Sequence, residues 1–474
     1  MEQLTIILVL LIGFYMLWNI GANDVANAIG TSVGSGAITL KRAILIAAVL
    51  EFSGAFLLGG NVSETIQHGI VDPSMFQHDT RLFILGMISA LLSTALWLQL
   101  ATYFRWPVST THSIVGALLG FGTIALGAQA IKWPIVGTIA LSWLISPTIS
   151  AIMAFCIFGM IQKRILFAFN PVKETKKIAP FLVFTILFIF IQTTFWGGNE
   201  NLKIHLPFYL VFSLALTAGG LGALICFLAT RRILPSIQMT KSIGAKQEHQ
   251  LFCLSKAQKH LKRAKLAATS PLSTELDQLS HSVCSMIDKI KSQTVLDDKI
   301  SDEYSAVEKI FGYLQLISAC MVAFGHGAND VANAVGPVSA VIEILRSPMN
   351  LMNPTQIPPW LLMFGGAGIV VGLATYGWRV IDTIGHKITQ LTPTRGFSAE
   401  FAASITILIA SKIGMPISTT HSIVGAVLGV GLARGISALN FPLIKGILMS
   451  WIITIPCSAL LAMIFFFCFK LIFV

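Results

Sequence analysis

The octapeptide GANDVANA stands at Gly21–Ala28 and again at Gly327–Ala334, both times within apolar surroundings. A second motif, STTHSIVGA, fills Ser109–Ala117 and Ser418–Ala426, with Pro107 and Pro416 two residues ahead of the copies. Ser142-Trp143 with Pro147 is answered by Ser450-Trp451 with Pro456. Between the motifs, Gly59, Val62 and Glu64-Thr65-Ile66 are echoed by Gly377, Val380 and Asp382-Thr383-Ile384. The features keep the same order in both halves, so the chain must fold as two related units joined by an insert.

The medium for those units follows from composition. Only 11% of the 474 residues are charged and 55% are hydrophobic, where a soluble domain carries about 25% charged residues. Uncharged runs of bilayer length recur at Leu82–Leu100, Pro134–Ile161, Ile178–Trp196, Leu206–Thr230, Trp360–Trp378 and Gly446–Phe469. Weaker runs surround Leu4–Asn19, Ala43–Gly60, Ser113–Ile131, Ile310–Leu345, Phe401–Ser411 and Ile413–Ala433. These predict an all-α polytopic membrane protein of about twelve transmembrane helices. The runs are continuous rather than alternating, which excludes a β-barrel. The first run has an acidic Glu2 and leads straight into a polar motif, so it is read as a span and not a cleavable signal.

The net charge of +11 does not mark a nucleic-acid binder, because of where it lies. Residues 163–177 hold five basic and one acidic residue, and residues 231–309 hold thirteen basic and nine acidic. Two helices separate these loops, so both fall on one face, which the positive-inside rule makes cytoplasmic. Attraction to anionic lipid is a secondary role for the same charges. Residues 1–165 are read as the first repeat, 166–230 as two intervening helices, 231–309 as a cytoplasmic polar loop, and 310–474 as the second repeat. The loop has helical stretches near Leu251–Leu266 and Leu276–Ile290 and no catalytic motif. Seven crossings separate the first helices of the repeats, an odd number, which predicts inverted topology with broken helices and both termini outside. The seven cysteines show no metal-ligand spacing and read as small buried hydrophobes.

Asn23, Asp24 and Asn27, with Asn329, Asp330 and Asn333, fall inside predicted membrane helices. An aspartate at bilayer depth costs about 2.5–3.5 kcal/mol and normally touches an ion, a proton path or a paired charge. Carboxylate and amide oxygens suit a hard monovalent cation; a polar clamp between helices is the structural alternative. Each Pro-x-Ser-Thr-Thr-His stretch marks a helix start. Two such starts inside a membrane would aim free N–H groups, with Ser109, Thr110, Thr111, Ser418, Thr419 and Thr420, at a tetrahedral oxyanion. Ordinary N-capping of two broken helices is the alternative. His112 and His421 could serve the anion, shuttle a proton or simply pack. Glu51 and Glu400 are intramembrane carboxylates at positions the repeat does not match, candidates for ion coupling or for packing in protonated form. Lys412 lies three turns from Glu400, too far for a direct pair.

At these residues the chain resembles the PiT family of inorganic phosphate transporters, which includes the sodium–phosphate symporters of animal cells. The resemblance covers nearly everything outside residues 166–309. It rests on GANDVANAIGTSVGSGAITLK (Gly21–Lys41), FSGAFLLGGNVSETI (Phe52–Ile66), GHGANDVANAVGP (Gly325–Pro337) and GMPISTTHSIVGA (Gly414–Ala426). It implies a twelve-helix fold with two inverted repeats, a homodimer, and import of orthophosphate down a cation gradient. The family's Asn-Asp segments match Asn23-Asp24 and Asn329-Asp330, its paired glutamates Glu51 and Glu400, and its Ser/Thr-rich helix starts the two STTH stretches. Asn-Asp in both copies implies the sodium-coupled branch.

The expected function is therefore a multi-pass carrier of the plasma or bacterial inner membrane that imports inorganic phosphate with Na⁺, not an enzyme, and without a further cofactor. Phosphate contacts are expected from Asn23, Ser109, Thr110, Thr111, Asn329, Ser418, Thr419 and Thr420. Cation binding or coupling is expected from Asp24, Asn27, Glu51, Asp330, Asn333 and Glu400, with Asp24 and Asp330 as the Na⁺ ligands. The alternatives are proton coupling, a metal–phosphate substrate, and a passive anion channel.

Overall fold

The computed structural model describes residues 2–198, 204–233, 244–266, 270–292, 297–346, 356–377, 391–435 and 441–473. Its regular structure is helical throughout. The first repeat contains α1 (Glu2–Gly34), α2 (Leu40–His68), α3 (Thr80–Tyr103), α4 (Thr110–Leu126) and α5 (Trp133–Ile161); α6 (Pro171–Phe195) and α7 (Phe208–Ile233) intervene. The polar linker forms α8 (Gly244–Leu266) and α9 (Ser270–Ser292). The second repeat contains α10 (Asp297–Asp330), α11 (Ala332–Arg346), α12 (Pro359–Tyr376), α13 (Pro393–Lys412), α14 (Thr419–Arg434) and α15 (Phe441–Phe473).

Nine helical segments among the described residues are long and apolar enough to cross a membrane, α10 and α11 counting as one. The other three runs expected from the sequence are α4, α13 and α14. At 17 and 16 residues, α4 and α14 reach only about 25 Å, short of a hydrocarbon core of about 30 Å. α13 is interrupted by Arg395, Glu400 and Lys412. These are the elements that carry the STTH motifs and one buried glutamate. The echo at Val380 to Ile384 lies outside the described residues.

The α3–α4 and α13–α14 pairs are hairpins with matching tips. Arg105 and Gly414 both adopt positive φ, 60° and 72°, which turns the chain sharply before each Pro-x-Ser-Thr-Thr. The hairpins interlock with the opposite repeat. Gly116 and Gly120 of α4 press on the backbone of Ile455 and Ala459 in α15, while Gly425 and Gly429 of α14 press on Pro147 and Ala151 in α5. The first helices cross over in the same way. A Cβ at Gly54 would lie 1.9 Å from the Phe324 carbonyl oxygen, and one at Gly372 1.9 Å from that of Trp18. Each first helix thus lies against the second helix of the other repeat at backbone distance, the geometry small residues provide in membranes.

α6 and α7 pack on each other and reach the second repeat through Phe190, whose ring centroid lies 4.9 Å from that of Phe324. In the linker, both expected helical stretches are present, as α8 and α9. Lys265 pairs with Asp277 at 2.6 Å between them, and Lys259 Nζ lies 4.9 Å over the ring of Phe167, beside the end of α5.

The α2–α10 contact leaves no room for a methyl group, and the neighbouring atom is backbone. Gly54→Ala is therefore expected to destabilise the protein by about 1–3 kcal/mol, the range for overpacking, read as a lower melting temperature in detergent. An unchanged melting temperature would mean that the helices part freely at this crossing.

Candidate functional site

The hairpin tips meet one another. Thr111 Oγ1 donates to the carbonyl of Ile417 at 2.9 Å, and Thr420 Oγ1 donates to that of Val108 at 3.1 Å. Each tip is also tied to the Asn-Asp helix of its own repeat. Asn23 Nδ2 donates to Thr102 Oγ1 (2.9 Å) and the Trp106 carbonyl (3.2 Å); Asn329 Nδ2 donates to Ser411 Oγ (3.2 Å) and the Met415 carbonyl (3.1 Å). The second asparagines reach across. Asn27 Nδ2 donates to Thr420 Oγ1 at 2.8 Å, and Asn333 Nδ2 to Thr110 Oγ1 at 3.2 Å. The two GANDVANA copies and the two STTH copies therefore form one buried cluster.

At its centre stand ionisable groups with no access to solvent. His326 Nδ1 lies 3.1 Å from Glu51 Oε1, and His326 Nε2 lies 3.1 Å from Asp330 Oδ2 and 3.9 Å from Asp24 Oδ2. Thr419 Oγ1 donates to Asp330 Oδ2 at 2.7 Å, and Asn27 Nδ2 to Asp24 Oδ1 at 2.9 Å. Asp24, His326 and Asp330 each offer a ligand atom within 4.8 Å of the others. α10 ends at Asp330 and one residue, Val331, separates it from α11; the Val331 N–H still reaches the Gly327 carbonyl at 3.4 Å, and α1 runs unbroken through Asp24. Pro337 lacks the N–H that would bond the Asn333 carbonyl within α11.

The oxygens are more numerous than the donors. The side-chain carbonyls of Asn23, Asn27, Asn329 and Asn333, with Asp24 Oδ2 and Asp330 Oδ1, are buried and accept no hydrogen bond among the described residues. For Asn23 and Asn329 the amide orientation is settled by the Trp106 and Met415 carbonyls, which can face only an N–H. Each buried acceptor without a partner costs about 1–3 kcal/mol. Six in one region, with carboxylates among them, fit a hard cation that takes oxygen ligands.

Several expected residues take different places. The nitrogens of Asn23 and Asn329 are spent on the hairpin tips, so these side chains offer oxygen, which suits a cation rather than an oxyanion. The hydroxyls of Ser109 and Ser418 accept from the N–H of His112 and His421 at 3.2 Å, as N-caps do. The donors left at the helix starts are first-turn N–H groups, those of Thr110, Thr111, Thr419 and Thr420. His112 and His421 lie against each other, ring centroids 4.3 Å apart, with Trp143 and Trp451 at 3.9 and 3.5 Å. They pack between the two Ser-Trp segments, apart from the carboxylates.

Glu51 and Glu400 do not share a site. Glu51 belongs to the His326 cluster. Glu400 sits in a separate cage, accepting from Thr31 Oγ1 (2.5 Å), Ser32 Oγ (2.6 Å), Gln315 Nε2 (3.0 Å) and Ser318 Oγ (2.8 Å). Gln315 stands about 16 Å along α10 from His326. Lys412 instead donates to the Gly198 carbonyl at 2.6 Å. His326 is the central residue missing from the expected set. A histidine four residues before an intramembrane aspartate, on the same helix face, is the signal that would have found it.

Buried carboxylate and amide oxygens where two helix starts meet the Asn-Asp segments, inside a set of membrane-length helices, define the class: a membrane transport protein. Comparison with known proteins agrees. Residues 20–462 match the model of the phosphate transporter family. A phosphate permease of Chlamydia pneumoniae is 42% identical over 471 residues, covering 99% of both chains. The chloroplastic inorganic phosphate transporter 2-1 of Arabidopsis thaliana is 42% identical over 457 residues, covering 96% of this chain and 70% of that one. A solved structure, "The sodium-dependent phosphate transporter", superposes with a TM-score of 0.79 at 34% identity, covering 99% of each chain. The chain belongs to the phosphate transporter family. It is a transporter and not an enzyme.

His326 separates three carboxylates that would otherwise face one another. Removing one partner of a buried ion pair costs about 3–5 kcal/mol, so His326→Ala is expected to lower the melting temperature well beyond a packing loss. The control is Ile20→Ala, at the matching position of the first repeat. If both variants melt alike, His326 is not holding the carboxylates.

Proposed function

We propose that the chain is a secondary active transporter that imports inorganic phosphate together with Na⁺. The observation that carries this reading is the set of buried, unpartnered amide and carboxylate oxygens from both Asn-Asp segments, beside two helix starts. Na⁺ takes Asp24 and Asp330, with oxygens from Asn23, Asn27, Asn329 and Asn333. Glu51 adds negative charge through His326. Phosphate gathers at the first turns of α4 and α14, where Thr110, Thr111, Thr419 and Thr420 supply N–H groups, and Ser109 and Ser418 hold the turns in shape.

Coupling then follows from electrostatics. An anion beside these carboxylates is strongly unfavourable until cations neutralise them, and cations without the anion leave an uncompensated charge in a low-dielectric space. Each ligand makes the other tolerable. Glu400, in its own cage of neutral donors between α1, α10 and α13, is a second coupling carboxylate or a lock on those helices.

The frame for this cycle is two inverted repeats, residues 1–165 and 310–474, in a twelve-span arrangement that includes the short helices. Residues 166–230 and the cytoplasmic linker 231–309 lie between them. Exchange of the interlocked hairpins between two packings would expose the site to each side in turn. The protein resides in the plasma or bacterial inner membrane and acts as a homodimer. A second reading, proton coupling, is favoured by His326, whose two nitrogens face carboxylates. A passive channel is disfavoured, because buried carboxylates next to an anion path would obstruct uncoupled flow.

Labelled phosphate uptake into proteoliposomes decides between these readings. A Na⁺ gradient should drive accumulation that a proton gradient alone does not. Asp24→Asn and Asp330→Asn should each abolish the sodium-dependent component, by a hundredfold or more, with the variants still inserted in the bilayer. Normal uptake in both would remove the carboxylates from the mechanism, and accumulation by a proton gradient without Na⁺ would establish the second reading.

A further inference from the structure

A cavity of about 430 Å³ opens between α6, α7 and α10, apart from the ion cluster. Ile317, the lining residue of α10 nearest His326 in sequence, is about 13 Å from it along the helix. Val183 and Leu187 of α6 and Ile225 and Cys226 of α7 form apolar walls. Tyr313 and Lys309 of α10 also line it, and both are exposed. The size is that of a ligand site, roughly 300–1,000 Å³.

The surroundings restrict the occupant. α6 and α7 are membrane-length helices, so hydrocarbon chains and not water are the medium beside this opening. Apolar contact gives no selectivity there, because lipid tails are as apolar as the lining. Selectivity must come from the polar end. Thr230 and Lys309 both line the cavity, and Arg231 follows Thr230 at the end of α7, its guanidinium 4.2 Å over the Phe227 ring. Lys309 in the lining and Arg231 just outside it thus both lie toward the ends of α7 and α10 that run into the linker. We propose that the cavity binds an anionic phospholipid, with an acyl chain along α6 and α7 and the phosphate held by Lys309 and Arg231. The occupant would rest directly on α10, the helix that carries Gln315, His326 and Asp330, so it is placed to influence transport.

The test uses the full chain in nanodiscs and in detergent. Native mass spectrometry should show phosphatidylglycerol retained about fivefold more than phosphatidylethanolamine, the factor a single cation supplies at an anionic surface. Lys309→Glu should erase that preference, and Lys309→Gln should reduce it. In a variant keeping Cys226 as the single thiol, phosphatidylglycerol should slow maleimide labelling at least severalfold. Equal retention of the two lipids by the unmodified chain would overturn the proposal, as would a preference that survives Lys309→Glu. Labelling of Cys226 indifferent to lipid, or a Cys226–Cys226 cross-link showing a second copy over the cavity, would overturn it as well.

Discussion

Everything in this molecule answers to the burial of three carboxylates in a space without solvent. Asp24, Asp330 and Glu51 are each fully inaccessible, and among the described residues their one ionisable partner of opposite sign is the imidazole of His326. Such a group of charges is not stable by itself in a low-dielectric interior. It persists because helix breaks, asparagine amides and threonine hydroxyls from four elements converge on it.

The duplication builds the frame, and single-copy residues give it a chemistry. Matched glycines hold the first helices against their opposite partners, and matched asparagines tie each Asn-Asp segment to its hairpin. His326, however, stands opposite Ile20, since Gly327 corresponds to Gly21. Counting from the matched serines Ser109 and Ser418, Glu400 stands opposite Leu91. Gly54 and Gly372 make the same contact with Phe324 and Trp18, which sets Glu51 opposite Ile369. The frame and its aspartates Asp24 and Asp330 are doubled, while His326, Glu51 and Glu400 are not.

Backbone proximity is the second requirement. The crossings at Gly54, Gly327 and Gly372 bring helix backbones so close that a side chain would meet a carbonyl oxygen. Glu51 reaches His326 because Gly327, next to it in sequence, lets α2 lie directly on α10. Packing of this kind replaces the hydrophobic driving force that is missing between helices in lipid.

Much of this was legible in the residue order. Runs of apolar residues determine membrane helices wherever they occur, and identical motifs in identical order determine two related halves. The polar GANDVANA motif within an apolar run marked Asp24 and Asp330 as candidates, and Glu51 stood out as a lone carboxylate in another apolar run, because charge is costly to bury there. Two matters belonged to the tertiary structure alone. The exchange of partners between repeats brings Asn27 to Thr420 and Asn333 to Thr110, contacts that sequence distance conceals. The division of the glutamates, Glu51 with His326 and Glu400 in its hydroxyl cage, also arises only when α1, α2, α10 and α13 are packed. A sequence records which groups are costly to bury; only packing determines which partners offset each of them.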